Sequence, residues 1–172
     1  MASLSEVFRT IIELKSEGVL EDYAVGGAMA VLFYAEPTRT YDLDVFVFLP
    51  PAAGSVVLLT PLYAWLEGRG FSAAAEHVLI HGVPVHFLPA YNELVDEAVE
   101  QAQSLDYQGV PVRVVRPEHL VALSVQTGGR KRREHVARLF DSDTVDRDKL
   151  QDILRRHGLL ESWDANWDQN DA

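Results

Sequence analysis

The chain has 172 residues, 48% of them hydrophobic, which is enough for one compact unit with a substantial core. Fifteen basic residues stand against 26 acidic ones, a net charge of −11, which argues against nonspecific coating of DNA or RNA by a basic surface. There is no cysteine, which excludes disulfides and thiolate zinc sites, and no apolar run long enough to span a membrane. The first segment carries Glu6, Glu13 and Glu17 within its apolar pattern and does not read as a signal peptide, so the expectation is a soluble cytoplasmic protein.

In chain order, Leu4, Val7, Phe8, Ile11, Ile12 and Leu14 recur at three- and four-residue steps and predict an amphipathic helix ending near Gly18. A short strand, YAVGG, follows, and then a helix-favouring run, AMAVLFYA, that stops before Pro37. Residues 41–49 read as the strongest strand and PPAAG as a loop. Residues 55–69 read as a helix interrupted or started at Pro61. AAAEHVLI and VPVHFLPA flank His81-Gly82, which predicts a β-hairpin. Asn92 is placed to cap the helix ELVDEAVEQAQ, 109–115 read as another strand, and Pro117 opens a further helix. Two more helices are expected at about 130–140 and 146–157, followed by a loose acidic tail whose Trp163 and Trp167 can dock on the body. The whole reads as an α+β fold, a mixed β-sheet flanked by helices over 1–115, with a helical C-terminal extension over 116–172 in the same compact unit.

Strand alternation puts Asp42, Asp44, Phe46 and Phe48 on one face and Leu43, Val45 and Val47 on the other. The two carboxylates then lie about 6.5–7 Å apart by Cα and point the same way. A divalent cation between them would relieve their repulsion, and Mg²⁺ suits one or two carboxylates completed by phosphates and water. A bare D-x-D, taken alone, reads first as a solvated strand end or turn. Upstream, Gly26-Gly27 stand between a strand and a helix, where backbone N–H groups and the positive end of the helix dipole favour an anion. Together the turn and the carboxylate pair describe a triphosphate site with its metal.

The string VGGAMAVLFYAEPTRTYDLDVFVF resembles the nucleotidyltransferase superfamily that includes DNA polymerase beta, and most closely the AbiEii-like and minimal nucleotidyltransferases of toxin–antitoxin systems. Val25, Gly26, Gly27, Asp42, Leu43, Asp44 and Val45 fit its pattern, with fourteen residues between the glycines and the first aspartate, slightly more than usual. Arg39, between Thr38 and Thr40, resembles the Arg-x-Thr lead-in in shifted form. The resemblance implies a nucleotidyltransferase fold and transfer of a nucleoside monophosphate from an NTP to a hydroxyl acceptor, an RNA such as tRNA or a protein, with an antitoxin as partner. It implies metal ligation by Asp42 and Asp44, phosphate binding by Gly26 and Gly27, and charge neutralisation by Arg39, whose other reading is a surface Arg paired with Glu36 or Asp42.

Two departures accompany it. Family enzymes carry a third carboxylate on a neighbouring strand, and the residue expected in register here is His86, either a base or a half-buried structural histidine. His77, His81 and His86 lack a recognisable zinc-ligand spacing. The downstream Lys-acidic pair of the AbiEii-like enzymes is matched loosely by Lys131 and Glu134 in GGRKRREHVARLF, which reads first as a salt-bridged solvated helix, with a basic patch for triphosphate or RNA as the alternative. The alternative to an active enzyme is a catalytically impaired nucleotide-binding or protein-interaction module of the same fold.

Overall fold

The computed structural model describes residues 3–36, 39–40, 42–51 and 59–167. Among the described residues, seven strands form one mixed sheet in the order β3-β4-β5-β2-β1-β7-β6. They are β1 (Asp22–Gly26), β2 (Leu43–Phe48), β3 (Ser72–Ala74), β4 (His77–Ile80), β5 (Val83–Pro89), β6 (Gln103–Tyr107) and β7 (Val110–Val114). β2 lies at the centre, antiparallel to β1 and parallel to β5, and β1 continues parallel to β7. Eight helices among the described residues accompany the sheet: α1 (Leu4–Ser16), α2 (Gly27–Val31), α3 (Thr60–Gly68), α4 (Glu93–Glu100), α5 (Pro117–Thr127), α6 (Arg130–Asp141), α7 (Arg147–Arg156) and α8 (Leu160–Asn166). The expected mixed sheet flanked by helices, with a helical C-terminal part, is the architecture observed.

Local chemistry accounts for most boundaries. Ser3 caps α1 through its hydroxyl, and the buried stripe Val7, Phe8, Ile11 and Leu14 is the one its spacing predicts. Pro61 and Pro117 stand in the first turns of α3 and α5, where a missing N–H is harmless. Asn92 caps α4, accepting from the Val95 N–H at 2.9 Å. His81 and Gly82 both adopt positive φ, 48° and 83°, in the two-residue turn between β4 and β5.

Three segments differ from the sequence reading. The helix after Asn92 ends at Glu100, and Gln103–Tyr107 forms strand β6, paired with β7 across a turn at Gln108-Gly109. The run AMAVLFYA holds only the last four residues of the five-residue α2, after which Tyr34 turns to donate its hydroxyl to the Val115 carbonyl at 2.8 Å. The tail, expected loose, contains α8, with Trp163 buried against Phe140 at a ring distance of 5.8 Å. Parts of the expected strand start (Tyr41) and of the loop and helix over 52–58 lie outside the described residues.

The hydrophobic core runs without interruption from α1 and the central strands into α5, α6, α7 and Trp163. A polar node reinforces this junction. Glu97 of α4 accepts from both terminal nitrogens of Arg156 at 2.7 and 2.8 Å, and bonds His157 at 2.8 Å and His119 at 3.0 Å. One carboxylate thus ties α4 to α5 and to the end of α7, and α5 in turn walls the cavity described next.

Candidate active site

On β2, Asp44 stands opposite Gly26 on β1 and opposite His86 on β5. Leu43, Val45 and Val47 are buried beneath, so the alternation that hides them turns Asp42 and Asp44 outward. Asp42 is exposed, and the Asp44 side chain keeps 35% of its surface. Both aspartates line a cavity of about 350 Å³ between the sheet, α2, α5 and α6.

Gly26 and Gly27 make room for this face. Gly27 has φ +59°, and a Cβ there would overlap Asp44 Oδ2 and lie 3.2 Å from its carboxyl carbon. A Cβ on Gly26 would run into the ring of Phe46, reaching Cδ2 at 3.0 Å. The two glycines therefore let the end of β1 close onto the side chains of β2 without displacing them. Gly27 lines the cavity and Gly26 is buried behind it.

His86 Nδ1 lies 3.3 Å from Asp44 Oδ1, so the histidine expected in register does meet the second aspartate. It is not among the residues lining the cavity and reaches it only through Asp44. The His77 ring is 5.6 Å from that of His86, whereas His81 sits apart, with Nε2 3.2 Å from the Thr10 hydroxyl and its ring against Phe71. The three histidines do not converge, and among the described residues no group of three or more His, Asp or Glu side chains is placed to hold a metal ion.

The opposite wall is cationic. Lys131, Arg132 and His135 of α6 and Arg39 before β2 line the cavity. Glu134, considered beside Lys131, faces outward and pairs with Arg130 at 3.7 Å. Gly128 and Gly129, with φ of 74° and 104°, turn the chain from α5 into α6 and start that helix with four consecutive cations and no side-chain cap. Cations at the positive end of a helix dipole oppose helix stability. The site therefore concentrates positive charge at a local cost in a chain whose net charge is −11. Burial, then the neighbouring Lys131, Arg132 and Arg138, hold His135 below its ordinary pKa, which favours a neutral imidazole in the cavity.

Arg132, His135 and Tyr91 escaped the sequence reading. His135 follows once a helix is drawn, since it lies four residues after Lys131 and three after Arg132 and shares a face with each. Tyr91 carries no sequence signal; only the fold brings it to the rim.

No protein-family model matches the sequence. No curated protein matches it. Solved structures do match it in fold. An antigenic nucleotidyltransferase-like protein from Paracoccidioides brasiliensis superposes with a TM-score of 0.58 at 15% identity, over 94% of this chain and 90% of that one. The antibiotic-resistance factor ANT(2'')-Ia in solution gives 0.53 at 17% identity over 96% and 99%. Its crystal structure in complex with adenylyl-2''-tobramycin gives 0.56 at 17% identity over 92% and 98%. The likeness extends along nearly the full length of each chain, and the protein has a nucleotidyltransferase-like fold.

Proposed function

We propose that the chain is a Mg²⁺-dependent nucleotidyltransferase that moves a nucleoside monophosphate from an NTP to a hydroxyl acceptor. The observation that carries this reading is the single cavity into which Asp42 and Asp44 open on one side and Arg39, Lys131 and Arg132 on the other. Paired carboxylates facing clustered cations is the arrangement a metal–triphosphate complex requires, because the metal needs oxygen ligands and the phosphates need positive charge.

The donor set fits magnesium. Asp42 and Asp44 offer hard carboxylate oxygens, and the space left by the missing Cβ of Gly27 is taken up by Asp44 Oδ2. Held by Asp42 and Asp44, Mg²⁺ would supply positive charge to offset that developing on the phosphates. The remaining work falls to side chains of the protein. His86 orients the Asp44 carboxylate from the neighbouring strand. Lys131 and Arg132 hold the triphosphate and stabilise the departing pyrophosphate. Arg39 adds charge at the approach to β2. Leu120 and Leu123 of α5 add an apolar wall to the cavity.

A second reading is favoured by His86, which stands where a third carboxylate was expected: a protein that binds nucleotide without transferring it. The acceptor, an RNA such as tRNA or a protein, and an antitoxin partner belong to the proposal on the strength of the AbiEii-like motif alone. The test incubates the protein with Mg²⁺ and each of the four labelled NTPs, with bulk tRNA or total protein as acceptor. Transfer abolished in Asp42→Asn supports the enzyme; tight Mg²⁺-dependent binding without pyrophosphate release supports the second reading; neither binding nor release overturns both.

A further inference from the structure

We propose that Tyr91 is a stacking platform for a nucleobase at the rim of the cavity. The proposal rests on the nucleotide-site reading and adds a subsite for the flat ring of the ligand.

Tyr91 is 62% exposed, one of two large apolar side chains left so open among the described residues. Other aromatic rings near the functional end and the flanks are covered. Phe8, Phe33 and Tyr107 pack together, Phe140 meets Trp163, and guanidinium groups lie over Trp65, Trp167 and Phe140. Among the described residues no ring or guanidinium stacks on Tyr91. Leaving a phenol ring in water forgoes burial that most aromatic side chains obtain.

Its backbone is nevertheless held on both sides. The preceding Ala90 N–H donates to the Val47 carbonyl at 3.1 Å, and the following Asn92 caps α4 while its amide donates to Gln126 Oε1 at 3.0 Å. The ring is thus exposed on a fixed support, which lowers the entropy lost when a second ring settles on it.

The surroundings select the ligand. Along the β2 face the cavity passes from Asp42 and Asp44 to Phe46, beside which Leu88 of β5 stands in register. That end, with Tyr91, is apolar and has no use for a phosphate. Gln126, bonded to the neighbour of Tyr91, lies four residues before the cationic start of α6. An exposed aromatic ring at one end of a cavity whose other wall carries clustered cations is an arrangement that can bind a base and its phosphates together.

The base can belong to the NTP or to a nucleoside at the acceptor end, and the experiment separates them. Calorimetric titrations in Mg²⁺ compare ATP with inorganic tripolyphosphate, which lacks a ring, on the full chain, Tyr91→Ala and Tyr91→Phe. Adenosine is then titrated onto each protein saturated with a non-hydrolysable ATP analogue. If the ring is that of the NTP, the wild type prefers ATP over tripolyphosphate by about tenfold or more, and Tyr91→Ala removes that margin alone while Tyr91→Phe keeps it. If it is that of the acceptor, Tyr91→Ala weakens adenosine binding and leaves ATP unchanged. The proposal is overturned if Tyr91→Ala alters neither ligand, or weakens tripolyphosphate as much as ATP. Tripolyphosphate binding with neither an ATP margin nor Tyr91-dependent adenosine binding sinks the stacking subsite alone, whereas no binding of either polyphosphate sinks the nucleotide reading with it.

Discussion

Gly27 and Asp44 compete for one volume. Any side chain at Gly27 would overlap the Asp44 carboxylate, and the backbone there holds φ at +59°. The second aspartate of the pair therefore depends on an absence of atoms one element earlier in sequence. The same logic links Gly26 to the Phe46 ring, so the Gly-Gly turn shapes both the carboxylate and the apolar stretch of the cavity beside it.

Gly27→Ala tests this directly. The left-handed φ alone costs about 1–2 kcal/mol, and relief of the overlap must displace either Asp44 or the turn. Urea unfolding should show the loss of stability, and Mg²⁺–ATP titration a fall in affinity of about tenfold or more. A variant with wild-type stability and affinity would show that the close approach has no consequence.

The cations of α6 yield a prediction in which stability and function move in opposite directions. Lys131→Ala and Arg132→Ala each remove a positive charge from the unfavourable end of a helix dipole, so thermal stability should hold or rise by about 0.3–1 kcal/mol. Nucleotide affinity should fall in the same variants, and the loss should shrink as salt is raised, since the lost term is Coulombic. Melting curves paired with titrations at two ionic strengths check both halves.

His86 touches Asp44 and not the cavity, so its removal should affect turnover more than binding. In an active enzyme, His86→Ala lowers the single-turnover rate of pyrophosphate release by about 10²-fold, with ATP affinity within about threefold of wild type. His86→Asp, which installs the carboxylate expected at this register, should recover part of the rate. Equal losses of rate and affinity in His86→Ala would assign the residue to the fold.

Acid should loosen the junction between the sheet and the C-terminal helices. Arg156, then His157 and His119, hold the Glu97 carboxyl well below the usual range against the opposing effect of burial. Burial holds His119 below its ordinary pKa, outweighing the pull of Glu97. Both folded-state values are depressed, so both groups contribute stability above their unfolded pKa values that is lost as pH falls through the folded ones. The decline should begin below about pH 6.5 with His119 and deepen below about pH 4.5 with Glu97. Glu97→Gln should cost about 1–3 kcal/mol at pH 7 and flatten the lower part of the profile. Urea unfolding from pH 7 to 4 measures this, and an identical profile in wild type and variant would contradict it.

Much of the site was legible because its chemistry is local in sequence. A strand ending in Gly-Gly and a strand opening on D-x-D fix which side chains share a face, and pairing on a pleated sheet then places Gly26, Asp44 and His86 in one row. What was not legible depends on tertiary context. QSLDY continues the polar–apolar pattern of the preceding helix, and only a free edge of β7 draws it into a strand. The segment around Trp163 is acidic and short, so its helix forms because burial of one indole outweighs weak propensity. Tyr91 follows a strand, and nothing in its neighbours marks it; its exposure exists only once α5 and β5 meet.

The most direct measurement is calorimetric titration of ATP into the full chain, with and without Mg²⁺, for the wild type and for Asp42→Asn/Asp44→Asn. Both aspartates are solvent-accessible and outside the core, so the double variant should fold as the wild type does, which circular dichroism verifies. The account predicts Mg²⁺-dependent binding by the wild type that falls at least about a hundredfold in the double variant. Binding that is indifferent to Mg²⁺ and to both substitutions, or no binding by the wild type, would contradict it.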